Sequence, residues 1–267
     1  MLERYHDTIQ ISSPQLSSIR SFAVFEILRQ WLHDCDFNHP RCDRDPDVHG
    51  PAQTELPTRL VEIGAQSSST IRVVHPKEAV QYAAVSYRWG NVSQYLNYQT
   101  TRETIAEKEK GIALASLPAL LQNAIEVARE IGMRYIWIDA LCIVQGPGGD
   151  YETEAERMET VFSGAYCVLA ASRAADVSAE FLIERPRREA VVVPIPGSPS
   201  IFIAEDIDNF QRDVIDGALN QRGWVLQERA LARRTIYFAE SQIYWECGEG
   251  IRCETLTKMY KYVHTHR

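Results

Sequence analysis

The stretch Tyr82-Ala-Ala-Val-Ser-Tyr-Arg-Trp-Gly90 decides the fold. Its first half is a short apolar run, and its second half turns polar around an arginine and a glycine. An apolar run of this length, closed by a turn signal, reads as a buried strand. Polar side chains and a glycine directly after such a strand are what a ligand-binding strand-to-helix loop requires. A second buried strand, Arg134-Tyr-Ile-Trp-Ile-Asp139, runs on into Leu141, Cys142 and Ile143. Between the two lies SLPALLQNAIEVAREI (116–131), where Leu120, Leu121, Ile125, Ala128 and Ile131 mark one helical face. Ser116 reads as the cap of that helix, Pro118 suits its first turn and Gly132 ends it.

Working outward, GPGGD (146–150) reads as a loop, ETEAERMETVF (152–162) as a helix and 166–171 as a strand. A helix is expected at about 218–231, followed by strands at 235–238 and 242–246. This alternation predicts a parallel α/β sheet with helices on both faces. Ligands then belong at the strand ends: 87–90, 139–145 and the loop after Ala171. Towards the N-terminus, 15–34 has the period of an amphipathic helix, 35–57 is polar loop, and 59–63 with 70–74 form a hairpin-like pair of strands. Within 172–217 the segments 190–193 and 200–203 read as a small inserted hairpin, and the tail LTKMYKYVHTHR as a basic, helix-like segment. The expected organisation is an N-terminal helical segment over 1–54, a main domain over 55–255 and the start of a C-terminal extension over 256–267.

Of the 267 residues, 45% are hydrophobic and 24% charged, and the formal net charge is −8. No global basic field is available to attract nucleic acid or acidic lipid. The run containing Arg185, Arg187 and Arg188 reads as a solvated loop, with a local basic patch as the alternative. No apolar stretch approaches the roughly 18 residues that span a bilayer, and MLERYHDTIQ lacks the apolar centre of a signal peptide. Six cysteines in a chain this long do not read as a disulfide scaffold, and Cys142 and Cys167 sit in apolar runs as buried thiols. The expectation is a cytoplasmic protein that binds neither nucleic acid nor membrane.

Three blocks, AVSYRWG (84–90), YIWIDALCIVQ (135–145) and RGWVLQERALARRTIYF (222–238), resemble in order and spacing the signature blocks of fungal heterokaryon-incompatibility (HET) domains. LPTRLVEIG (56–64) and CDFNHPRC (35–42) resemble what commonly precedes them. The resemblance implies a role in the programmed cell death that follows fusion of genetically unlike hyphae, a form of fungal innate immunity. It also implies a flavodoxin-like fold similar to Toll/interleukin-1 receptor (TIR) domains, an open parallel sheet carrying the N-terminal helical segment and the inserted hairpin. Some TIR domains oligomerise and cleave NAD through a glutamate on a helix that often carries an aromatic residue a few positions earlier. Trp224 and Glu228 look like that pair, and their spacing of four puts them on one helical face. The N-terminal segment and the long insertion at 172–217 depart from a typical TIR domain.

Glu228 is thus the first candidate for the catalytic carboxylate, able to stabilise developing positive charge on a ribose. A surface glutamate paired with Arg229 or Arg233 is the alternative. Asp139 is the second catalytic candidate, or else it caps the next turn or anchors an arginine. Ser86, Tyr87, Arg88, Trp89 and Gly90 form the loop beyond the first central strand. Arg88 offers bidentate donors to a diphosphate and Gly90 permits close backbone approach. Arg222 could reach a phosphate or instead stabilise Asp139 or Glu228, and Trp224 could stack on a base or pack in the core. Cys142 has no assigned base and is a poor nucleophile candidate. Cys35, His39 and Cys42 form a zinc-compatible donor set whose fourth ligand would be Cys247 or Cys253; otherwise they are packed and surface residues.

Two readings remain open. One is hydrolysis of NAD(P) as substrate upon homo-oligomerisation, with no cofactor required for catalysis and a structural zinc as an option. The other is a non-enzymatic signalling module that recruits regulatory regions or other incompatibility proteins. A zinc-stabilised recognition domain is a third option compatible with either.

Overall fold

The computed structural model describes residues 16, 18–39, 42, 56–90, 98–185, 190–197, 200–204, 207–221, 228–255 and 258–259. The strands are β1 (Leu60–Glu62), β2 (Thr70–Val74), β3 (Tyr82–Ser86), β4 (Ile112–Ala113), β5 (Tyr135–Trp137), β6 (Cys167–Ala170), β7 (Ala190–Val193), β8 (Ile201–Ala204), β9 (Arg234–Phe238), β10 (Ile243–Cys247), β11 (Gly250–Cys253) and β12 (Lys258–Met259). Ten of them make one sheet, ordered β12-β11-β10-β9-β6-β3-β5-β1-β2-β4.

The centre of this sheet is the expected parallel unit. β3 pairs in parallel with β5 and with β6, and β6 with β9. Every residue of β3, β6 and β9 is buried, as near-continuous apolar strands covered on both faces should be. The expectation of a fully parallel sheet is corrected on both flanks: β1 runs antiparallel to β5 and β2, β2 to β4, and β9, β10, β11 and β12 follow one another as an antiparallel meander. Beyond β9 the reason is connection length. A parallel neighbour needs a crossover of a dozen or more residues. Residues 239–242 between β9 and β10, and 248–249 between β10 and β11, are far too few. The fold is therefore α/β with a mixed sheet.

The helices are α1 (Phe22–Asn38), α2 (Ile105–Lys110), α3 (Ala119–Glu130), α4 (Asp139–Cys142), α5 (Tyr151–Glu156) and α6 (Met158–Gly164). In α3 the residues Leu120, Leu121, Ala124, Ile125, Val127 and Ala128 face the core, and Gly132 ends the helix at φ 83°. Pro118, not Ser116, occupies its cap position. Ser116 belongs to a short 3-10 turn and donates its hydroxyl to the Ala113 carbonyl at 2.7 Å. The helix expected over 152–162 breaks at Arg157 into α5 and α6. Helix α1 begins later than expected and continues through Asn38, taking Cys35 out of the expected loop. Ser21 caps it, its Oγ accepting from Val24 N at 3.3 Å. Its buried residues Val24, Phe25, Leu28, Trp31, Leu32 and Cys35 join the same core as the central strands.

Three further corrections concern the second half. Arg185 does not lie in a solvated loop: its guanidinium is buried and paired with buried Glu254 at 2.6 Å. Arg187 and Arg188 fall outside the described residues. The tail contributes a strand at Lys258–Met259, because β11 offers it an edge to pair with. The helix expected over 218–231 opens as a 3-10 turn at Ala218–Gln221, 228–231 are helical as expected, and 222–227 lie outside the described residues. β7 and β8 form the expected hairpin, a two-stranded sheet of their own. No helix among the described residues is long and apolar enough to cross a membrane.

Candidate functional site

Connectivity creates the site. From β3 the chain crosses to β5 on one side, whereas from β6 it crosses to β9 on the other. Connections that diverge in this way open a crevice at the carboxyl ends of the two adjacent strands. Ser86 is the last residue of β3 and lies in register with Ala170, the last of β6. Glu228, on the helical turn that leads into β9, reaches into this position. Its carboxylate accepts a hydrogen bond from Ser86 Oγ at 2.5 Å, linking residues 142 apart in sequence. Both are buried, Glu228 with 5% of its surface exposed, so the surface-glutamate alternative is excluded. Arg229 pairs instead with Glu246 at 2.9 and 3.1 Å, and Arg233 donates to the Cys42 carbonyl at 3.1 Å.

Asp139 stands at the end of the neighbouring strand β5 and opens α4. Its Oδ1 accepts from the Tyr87 hydroxyl at 2.6 Å and from Ala140 N at 2.7 Å, and its Oδ2 from Trp89 Nε1 at 2.6 Å. One carboxylate thereby fixes two alternate side chains of the 86–90 loop and the first turn of the next helix. The Tyr87 hydroxyl is held well above its ordinary pKa, first by burial and then by the Asp139 charge, so it stays a donor. Arg88 is half-buried and lies near Asp176. Asp176 is held below the usual carboxylate range chiefly by the Ser178 hydroxyl and amide. Gly90 has φ 76°, and a Cβ there would stand 2.4 Å from Asp176 Cβ. The close approach that Gly90 permits is thus that of the loop after β6.

Arg222 and Trp224 lie outside the described residues. Among the expected site residues Ser86, Tyr87, Trp89, Asp139 and Glu228 come together at the strand ends, and Arg88 and Gly90 border them. Sequence reasoning missed Asp176, although the loop after Ala171 was among the expected ligand-binding segments. It also missed Arg59, whose Nε donates to the Cys142 carbonyl at 2.6 Å and which pairs with Asp150, fastening the turn behind Asp139. Cys142 and Cys167 are buried thiols as expected, both pushed up to about 12 by burial. Two described cavities, one of ≈ 340 Å³ beside Asn123 and one of ≈ 470 Å³ beside Arg134, lie away from this cluster. The hydrogen bonds at the strand ends are the better guide to the site, because they hold carboxylates from separate elements against the end of β3 and its loop.

A second cluster lies on the other side of β9. Cys35 in the last turn of α1, His39 just beyond it, Cys42 and Cys247 at the end of β10 bring their donor atoms within 4.8 Å of one another. The turn holding Cys42 is closed by its amide donating to the His39 carbonyl at 2.9 Å. His39 Nδ1 stands 3.4 Å from Cys247 Sγ. Hydrogen bonding from Cys35 draws the Cys247 thiol down to about 4, while Cys35 itself is pushed far up by that same neighbour and by burial. Of the two expected fourth members Cys247 is present and Cys253 is not: the Cys253 thiol contacts Asp208 and Thr255 instead.

No curated protein and no solved structure matches the sequence. A family model described as heterokaryon incompatibility protein (HET) matches residues 82–228, a span that starts with β3 and ends on Glu228. That span is more than half of the chain and carries every side chain of the strand-end cluster, and the protein belongs to the HET family.

Proposed function

We propose that this protein is a cell-death effector that hydrolyses the N-glycosidic bond of NAD(P) upon self-assembly in the cytoplasm. The observation that carries the proposal is Glu228, a buried carboxylate brought to the strand-end crevice and oriented by Ser86 at 2.5 Å. In the reaction the bond between ribose C1′ and the nicotinamide nitrogen breaks, and nicotinamide leaves with the electron pair as a neutral base. Glu228 stabilises the positive charge that develops on the ribose. Water adds to C1′ and its proton passes to solvent, leaving ADP-ribose or its 2′-phosphate. Ser86 orients the carboxylate, and Asp139 holds the Tyr87 and Trp89 side chains that would border the substrate. Arg88 supplies donors suited to the diphosphate. With 5% of its surface exposed, Glu228 needs a rearrangement to meet a ribose, which supports a requirement for assembly.

The test follows nicotinamide release from NAD at rising protein concentration, with Glu228→Gln alongside. Release that grows faster than linearly and disappears in the variant is expected. Full turnover by a folded Glu228→Gln protein would remove the assigned role.

A second reading, a non-enzymatic assembly module, is favoured by the β7–β8 hairpin. Val191, Val192, Val193, Ile201 and Ile203 on it are exposed, an apolar patch that suits association with a second copy. Absence of release even from artificially clustered protein, with association abolished by Val191→Lys, would select this reading.

A further inference from the structure

We infer that Cys35, His39, Cys42 and Cys247 bind one zinc ion, which fastens the end of α1 to the edge of β10. Three thiols and one imidazole are a zinc donor set, and closed structural sites take four such ligands in a tetrahedron. Their donor atoms lie within 4.8 Å of one another. With the usual zinc–sulfur and zinc–nitrogen bond lengths, a tetrahedron separates two sulfurs by about 3.8 Å and sulfur from nitrogen by about 3.6 Å. The 3.4 Å between Cys247 Sγ and His39 Nδ1 already matches such an edge. The three cysteines are buried free thiols, and His39 is only 9% exposed.

The surroundings fit the charge of the assembly. Three thiolates, one neutral imidazole and Zn²⁺ carry a net charge of −1. Cationic side chains border them: Arg234 pairs with Asp36 at 2.5 Å, Arg233 donates to the Cys42 carbonyl at 3.1 Å, and Arg252 pairs with Asp34 at 3.1 Å. Arg252 also lies 3.2 Å from His39 Nε2. Coordination through Nδ1 places the imidazole proton on Nε2, so Arg252 then keeps Asp34 and releases the ring.

The ion would close a long loop. His39 and Cys247 are 208 residues apart, and the segment between them includes the whole strand-end cluster. Cys247 faces Arg234 across the β9–β10 ladder, and β9 is the strand that the Glu228 turn enters. The metal therefore anchors the edge from which Glu228 is presented. This inference stands whether or not NAD(P) is the substrate.

The test measures metal on the full chain purified under reducing conditions without chelator, and cobalt substitution of the same protein. One zinc per chain is expected. The cobalt protein is expected to show thiolate-to-metal charge transfer and the intense visible bands of a tetrahedral ion. Cys42→Ser and Cys247→Ser should lose zinc, whereas Cys253→Ser should retain it. Chelation should lower the melting temperature of the unmodified protein and of Cys253→Ser alike. A protein that holds no zinc, a disulfide among the three thiols, or full zinc retention by Cys247→Ser would overturn the assignment. If a serine variant does not fold, the zinc content and cobalt spectrum of the unmodified protein decide between these outcomes.

Discussion

Substitution of Arg185 by methionine tests the buried ionic framework on the far edge of the sheet. The side chains of Arg185 and Glu254 are 2% and 1% exposed and meet at 2.6 Å. The other oxygen of Glu254 accepts from Ile243 N at 2.9 Å, so this pair ties the residue after β11 to the first residue of β10. Methionine fills much of the volume but leaves the carboxylate with a single neutral donor among these contacts. A buried pair broken on one side costs about 3–5 kcal/mol. Protonation sets a ceiling on that cost. Holding a carboxyl of unfolded pKa about 4.3 protonated at pH 7 costs about 3.7 kcal/mol, and the cost falls by about 1.4 kcal/mol for each pH unit below that. Burial already raises Glu254 above the usual range, and Arg185 opposes the shift. Removing the arginine extends it. A folded carboxyl with a raised pKa favours the native state below its unfolded pKa and loses that advantage as pH rises through its folded value. The Arg185→Met deficit in urea unfolding should therefore be about 3–4 kcal/mol at pH 7 and about 1 kcal/mol at pH 5. Adding Glu254→Gln should restore most of the loss at pH 7. A deficit that is the same at both pH values, or that the second substitution leaves untouched, would refute the reasoning.

Asp139→Ala should destabilise by about 2–4 kcal/mol, because it leaves the buried Tyr87 hydroxyl and the Trp89 indole N–H without their acceptor. Asp139→Asn should cost less, and a shift in Trp89 fluorescence should accompany the alanine change only. Gly90→Ala should cost at least about 2 kcal/mol, from the left-handed backbone together with the clash against Asp176. Urea unfolding checks all three variants, and unchanged stability in Gly90→Ala would mean that the loop after β6 is free to retreat.

The central strands were legible because strands buried on both faces must be apolar throughout: β3 and β6 announce themselves as runs that no solvent-facing element tolerates. The orientation of the flanking strands was not, since β10 has the same apolar character whichever way it pairs. Only the short links around it fix it as antiparallel, and β11 carries too few apolar residues to register as a strand. Arg185 illustrates a different limit. An arginine among arginines has a solvated signature, and its burial depends on Glu254, a partner 69 residues away. Asp139 was legible as a site residue because strand ends collect polar groups, yet its three acceptor contacts depend on how the 86–90 loop folds back. The metal cluster divided in the same way. The local spacing showed three donors, and the choice of Cys247 over Cys253 required the β10–β11 turn.

Both clusters are long-range, and both converge on β9. Ser86 meets Glu228 across the sheet, and Cys247 meets the end of α1 across the same region from the opposite strand neighbour. Neither arrangement can form within an isolated segment, so each reports on completion of the sheet. For the proposed hydrolase this has a direct consequence. The carboxylate is buried against a serine, and for the proposed reaction a movement that uncovers Glu228, such as a shift of its turn relative to β3, would have to precede contact with a ribose. The zinc assigned to Cys35, His39, Cys42 and Cys247 would hold β9 and β10 still during that shift, confining the motion to the turn before Arg234. Assembly would then act on one short segment and leave the sheet intact, as a switch between an inert monomer and an active oligomer requires.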